Sequence, residues 1–134
     1  MQNDDRDRLT PDEKLFTLRL TDGSELRHRP GQFIQLSLLG FTEAPISIAS
    51  APTRTGNFDL AIRNVGFLTA EMHRRAVGDI VGIRGPFGTA FSLAELRGRD
   101  LLLISGGCGL APLRSLIQYC EDHPDEFGRV QILY

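Results

Sequence analysis

The sequence predicts a mainly β fold that turns into an α/β unit near residue 99. Three observations carry that reading. Up to about Gly98 the chain breaks into strand-length segments separated by turn chemistry, the pattern of an antiparallel barrel or sandwich. Leu101–Ile104 is a continuous Leu-Leu-Leu-Ile run, as in a parallel strand buried on both faces. A glycine cluster and then apolar residues at helical spacing follow it, which makes the first βαβ unit of an α/β domain. The predicted organisation is one β domain over residues 1–98 and the start of an α/β domain over 99–134.

The elements follow in order. Leu15–Leu20, Phe33–Leu39, Pro45–Ser50, Asn57–Arg63 and Asp79–Arg84 are strand-length, and apolar and polar residues alternate in Lys14–Leu20 and Phe58–Ile62. Between them lie Asp22-Gly23, Pro30-Gly31, Thr55-Gly56-Asn57 and Gly78-Asp79, all turn formers. A short helix is predicted at about Leu68–Arg75, with Leu68, Met72 and Ala76 at i, i+4 and i+8. After the strand at Asp100–Ser105, Leu113, Leu116, Ile117 and Cys120 predict a second helix, with Pro112 well placed in its first turn. Arg129–Tyr134 then opens the second parallel strand. Two strands and one helix do not cover both faces of a parallel sheet, so the unit is expected to be truncated from a longer parent chain or completed by a partner, truncation being preferred.

Composition narrows the function. The chain has 134 residues, 41% hydrophobic and 24% charged, which excludes disorder and fibrous repeats. A net charge of −2 argues against a nucleic-acid partner. No apolar run nears the roughly 18 residues of a membrane span, and the charged start MQNDDRDR is not a secretory signal. Cys108 and Cys120, joined by a helix, sit about 18 Å apart along its axis, beyond the reach of a disulfide. Free thiols and no signal point to a cytoplasmic protein. His28, His73 and His123 have no metal-site spacing, and two cysteines are too few for an iron–sulfur cluster.

The strongest motif is Ile104-Ser105-Gly106-Gly107-Cys108-Gly109-Leu110-Ala111-Pro112, between strand and helix. Its glycines let the backbone approach a pyrophosphate, and the helix start offers free N–H groups. The spacing is G-G-x-G-x-A-P and not GxGxxG. Four weaker segments precede it: Gly31-Gln32-Phe33, Ala44-Pro45-Ile46-Ser47-Ile48, Ile62-Arg63-Asn64-Val65-Gly66-Phe67-Leu68-Thr69 and Gly85-Pro86-Phe87-Gly88.

In this order and spacing, from about Lys14 to Tyr134, the set resembles the ferredoxin–NADP reductase superfamily. Within it the likeness is to the FAD- and NAD-binding electron-transfer subunits of sulfhydrogenases, anaerobic sulfite reductase and dihydroorotate dehydrogenase. The resemblance implies a six-stranded antiparallel flavin-binding barrel followed by a nucleotide-binding α/β domain. The superfamily's Arg-x-Tyr-Ser motif falls on Ala44, Pro45, Ile46 and Ser47, where only the serine matches. By the resemblance, Ser47 is the catalytic residue, its hydroxyl or N–H against the flavin N5 region, and Ile46 makes an aliphatic contact in place of a stacking tyrosine. Ala44 lacks the guanidinium that faces the FAD pyrophosphate. Arg63, with Ala61 and Ile62 on a strand that relatives place beside the flavin, is expected to supply it. Gly66-Phe67-Leu68-Thr69 matches G-x-x-[ST], which opens the short helix under that pyrophosphate. Gly85–Gly88 is expected as a turn at the mouth between flavin and nicotinamide. Gly106, Gly107, Gly109, Ala111 and Pro112 are expected to bind NAD(P).

The implied function is electron transfer between NAD(P)H and a one-electron acceptor, with hydride passing to FAD N5 and single electrons leaving. The implied partner is a catalytic redox subunit of hydrogenase, sulfite-reductase or dihydroorotate-dehydrogenase type. A [2Fe-2S] centre is expected only in a parent chain beyond residue 134, and the 134-residue chain is expected to bind NAD(P)H weakly and to be poorly active alone. Ala44 also supports a second reading, a docking subunit of a redox complex without tight FAD.

Overall fold

The computed structural model describes residues 10–134. The charged start, on which the reading of no secretory signal rests, lies outside the described residues. Five strands come first: β1 (Glu13–Leu18), β2 (Phe33–Ser37), β3 (Ala44–Ser47), β4 (Phe58–Arg63) and β5 (Gly82–Phe87), with helix α1 (Phe67–His73) between β4 and β5. A four-residue helix α2 (Leu93–Leu96) leads to β6 (Leu101–Ile104), helix α3 (Leu110–Asp122) and β7 (Val130–Leu133). β1 pairs antiparallel with β4, and β2 lies between β3 and β5, again antiparallel. A single antiparallel bridge, Ile48 to Leu60, joins the two groups. The strand order is therefore β1-β4-β3-β2-β5, one strand fewer than the expected six among the described residues.

The core explains why these segments are strands. Phe16, Ile34, Leu36, Ile48, Phe58, Leu60 and Ile62 alternate with outward-facing neighbours and are 0–4% exposed. Leu68 and Met72, four residues apart on α1, cover the same cluster. On β1 the inward side is shared by Phe16 and Lys14, whose ammonium lies 5.2 Å from the Phe16 ring centroid. A second cluster forms from Leu101 and Leu103 of β6, Leu116, Tyr119 and Cys120 of α3, and Phe127. It also takes in Ala51, Phe91, Leu93 and Leu96 from the earlier part of the chain.

Two elements differ from the sequence reading. β6 pairs in parallel with β7, but only alternate residues are buried; Leu102 and Ile104 are exposed. α3 covers one face of this two-stranded sheet, and no described element covers the other. The last antiparallel strand starts three residues later than expected and runs through Gly85-Pro86-Phe87, so the anticipated turn is part of β5. Pairing with β2 decides this: Phe87 lies opposite Phe33 and Arg84 opposite Gln35, with a register shift between them. Pro86, which has no N–H to donate, occupies that irregularity on an edge strand. Gln32 fastens the following Gly88 by donating to its carbonyl at 3.0 Å and accepting from Arg29 N–H at 2.9 Å.

His28 sets the acid response. It is 5% exposed, and its Nε2 lies 2.7 Å from the Ser50 carbonyl, to which it donates. Burial lowers its proton affinity, more than the Ser50 bond restores. An unfolded histidine takes up a proton near pH 6.5, and the folded one resists to lower pH. Unfolding therefore binds a proton below about pH 6.5, so stability is whole above that value and falls as pH drops through it. Denaturant unfolding at pH 7.5 and 5.5 should show this loss, and His28→Gln should reduce the difference between the two pH values.

Candidate functional site

The candidate site lies where the ends of β3 and β4, the start of α1 and the loop before α3 converge. The Ile48–Leu60 bridge is antiparallel, and that register carried along the strands sets Ile46 beside Ile62 and Pro45 beside Arg63. Ser47 pairs with Phe33 on the other side and is partly exposed. The sequence-predicted residues Pro45, Ile46, Ser47, Ala61, Ile62 and Arg63 thus fall on two neighbouring strands.

Their side chains do not all face outward. Ile62 and Leu68 are buried in the core, so they present only backbone to a ligand, and the Ile62 carbonyl already accepts from His73 Nε2 at 2.8 Å. Arg63 ends β4 opposite Glu13, with an exposed guanidinium. Among the described residues no carboxylate forms an ion pair with it. Arg84, the other arginine near Ala44, is already engaged. Its guanidinium binds Glu43, and those hydrogen bonds hold the Glu43 carboxyl below the usual carboxylate range. Among the described residues, Arg63 is left beside Pro45 without an ion pair.

The Gly66–Thr69 segment is organised by one hydroxyl. Thr69 Oγ1 accepts from the N–H groups of Val65 and Gly66, both at 2.9 Å, and donates to the Gly66 carbonyl at 3.1 Å. That hydroxyl is therefore fully used as a cap. The N–H groups of Phe67, Leu68 and Thr69, in the first turn of α1, have no carbonyl within the helix to bond. Gly66 itself has φ −167°, ordinary extended backbone, and a Cβ there would meet nothing within 4 Å. Neither strain nor crowding by the protein requires glycine at this position. The open ground above it, flanked by exposed Val65 and Phe67, suits the close approach of a ligand.

The loop before α3 repeats the pattern. Gly107 has φ +54°, a conformation that favours glycine, and it begins a short 3₁₀ turn at Gly107–Gly109. Gly106 and Gly109 have ordinary backbone; a Cβ on Gly106 would meet nothing within 4 Å, and one on Gly109 would touch Ser105 Oγ at 3.7 Å. Ser105 Oγ, next to this loop, is buried without a hydrogen-bond partner among the described residues. Ala111 and Pro112 are partly buried in the first turn of α3. Cys108 joins the two parts of the site: its exposed thiol lies 3.3 Å from Glu13 Oε1 and 4.0 Å from Arg63 Nη1. Sequence reasoning missed Glu13 because β1 pairs with β4 only in the fold. It also missed the role of Gln32, whose amide donates to the Gly88 carbonyl 56 residues away.

A guanidinium without an ion pair among the described residues, first-turn N–H groups with no carbonyl inside the helix, and side-chain-free ground at Gly66 form a donor set for a phosphate-bearing cofactor. FAD fits these residues. Among the described residues no group of three His, Cys, Asp or Glu side chains could hold a metal ion. Nor is any described helix long and apolar enough to cross a membrane.

The chain is 44% identical over 128 residues to the gamma subunit of sulfhydrogenase 1 of Pyrococcus furiosus, covering 93% of this chain and 44% of that one. It is 42% identical over 88 residues to a probable dihydroorotate dehydrogenase B electron transfer subunit of Methanothermobacter thermautotrophicus, covering 66% of this chain and 32% of that one. The chain thus spans less than half the length of these curated relatives. A cytochrome P450 reductase from Amycolatopsis superposes with a TM-score of 0.76 at 28% identity, over 90% of this chain and 38% of that one. A ferredoxin–NADP⁺ reductase from Neisseria gonorrhoeae, solved with FAD and NADP, shares the fold with a TM-score of 0.71 at 24% identity, over 92% of this chain and 51% of that one. The family model described as "Oxidoreductase FAD-binding domain" matches residues 2–91. With two thirds of its length inside that match, the chain belongs to the FAD-binding domain family of oxidoreductases.

Proposed function

We propose that this chain is the FAD-binding part of an electron-transfer oxidoreductase that works between NAD(P)H and a one-electron acceptor in a partner redox subunit. The observation that carries the proposal is the contact of Cys108, in the glycine loop, with Arg63 Nη1 at 4.0 Å, three residues before the open ground at Gly66. In this reading residues 1–98 hold FAD and residues 99–134 begin the NAD(P) site. Arg63 and the first-turn N–H groups of α1 face the pyrophosphate. Ser47 and the neighbouring backbone of β3 hydrogen-bond the flavin edge, with Pro45 and Ile46 packed against its ring. When bound, FAD supplies the exchange between a two-electron nicotinamide and one-electron carriers. The protein's task is to orient and to exclude water, which suits a site without an acid–base pair.

Gly106, Gly107 and Gly109 let a nucleotide pyrophosphate approach α3, with Ala111 and Pro112 fixing the helix start. Among the described residues one helix and two strands adjoin this loop, and NAD(P)H is expected to bind the 134-residue chain weakly. The named relatives are subunits of a sulfhydrogenase and of a dihydroorotate dehydrogenase, which supports a catalytic redox subunit as partner. Free Cys108 and Cys120 suit a reducing cytoplasm.

Arg63→Ala tests the reading. Loss of a hydrogen bond to a charged group is worth about 1.5–3 kcal/mol, so FAD should bind roughly tenfold to a hundredfold more weakly in a fluorescence titration of apoprotein. Unchanged affinity would return Arg63 to a solvated strand end, and a wild-type chain that binds no FAD would favour the docking-subunit reading that Ala44 supports.

A further inference from the structure

Helix α3, which begins at the glycine loop, is fastened along its length to the segment that leaves β3. Arg114 Nη1 donates to the Ala49 carbonyl at 2.8 Å and to Asp59 Oδ2 at 3.0 Å. Ser115 Oγ donates to the Ser50 carbonyl at 2.7 Å, and Gln118 Oε1 accepts from Ala51 N–H at 2.9 Å. Three consecutive residues of one strand exit are thus each held by a side chain of α3. Ser115 is 0% and Gln118 6% exposed, so these bonds are made away from water. Asp59, on β4, ties the same knot to the flavin side: its N–H donates to Ser50 Oγ at 2.8 Å, and its carboxylate also accepts from Thr17. Ser50 lies three residues beyond Ser47, and Asp59 four before Arg63.

Apolar packing alone is non-directional and tolerates a sliding helix. Hydrogen bonds to successive backbone groups do not, because a slip of about 1.5 Å, one residue's rise, unmakes them all and leaves buried polar groups unpaired. We infer that Arg114, Ser115 and Gln118 are positioning residues that register the glycine loop against the Ser47–Arg63 surface, so that α3 and that surface open as one unit. The inference rests on the FAD reading above and adds how the two halves of the site keep their spacing.

Hydrogen exchange followed by mass spectrometry tests it on the 134-residue chain, with and without FAD at about 100 times Kd. A ligand at that excess slows opening of everything coupled to its site about a hundredfold. In the wild type this slowing is expected both at residues 61–69 and at the far end of α3, residues 118–122. In R114M/Q118L it should persist at 61–69 and shrink to less than about threefold at 118–122. Arg114→Met alone, a milder change should the double variant not fold, should give an intermediate value, and Arg114→Lys should stay near the wild type. Full slowing of 118–122 in the variants would overturn the positioning role, as would slowing confined to 61–69 in the wild type. No slowing anywhere in the wild type would overturn the FAD reading, and the positioning role with it.

Discussion

Gly66→Asp should abolish FAD binding without weakening the fold. A Cβ at this position meets no protein atom within 4 Å, and φ −167° suits any residue. Aspartate is also a better N-cap than most residues and favours a helix start electrostatically, so the melting temperature of the apoprotein should hold or rise slightly. A carboxylate over the α1 start nevertheless stands where the pyrophosphate is proposed to lie. Two like charges about 4 Å apart at an effective dielectric near 20 repel by about 4 kcal/mol, a loss of roughly a thousandfold in affinity. Thermal unfolding and FAD titration of the same preparation check both halves of the expectation. A folded variant that keeps its FAD affinity places the cofactor elsewhere, and an unfolded one contradicts the open ground at Gly66.

Leu60→Ala should do the reverse, weakening the fold at its centre. Leu60 is 0% exposed on β4, lies opposite Phe16 of β1 in the ladder, and makes the bridge to Ile48 that joins the two strand groups. Removing a buried leucine costs the transfer free energy of the lost carbons plus that of the cavity, about 2–5 kcal/mol. Against a total stability of about 5–15 kcal/mol this is a large fraction, and the melting temperature should fall by about 10 °C or more. Urea unfolding should show a lower midpoint with an unchanged slope.

How much of this was legible in the sequence depends on the range of the interaction. β4 and α1 were readable because alternation in Phe58–Ile62 and the Leu68–Met72 spacing are local consequences of burying one face. The α3 start was readable from the glycines and Pro112. β5 was displaced because pairing with β2, some 50 residues away, decides where it begins, and propensity does not report that. The Leu-Leu-Leu-Ile run read as buried on both faces, since periodicity records what residues tolerate and not which neighbours are present. At the site, Ser47, Arg63 and Gly66 were legible as types in an order. The meeting of Arg63 with Glu13 and Cys108 was not, because it depends on the β1–β4 register and on the packing of α3. The polar stripe of Arg114, Ser115 and Gln118 carried a signal that went unread: polar residues at i, i+1 and i+4 on a helix otherwise facing a core.

The central claim is that this chain holds FAD on the Ser47–Arg63–Gly66 surface, and an absorbance titration of the apoprotein with FAD tests it most directly. The account predicts saturable binding of one FAD per chain, with perturbed flavin bands, and that binding lost in Gly66→Asp. Free-flavin spectra throughout the titration, with the wild-type chain shown to be folded, would contradict it.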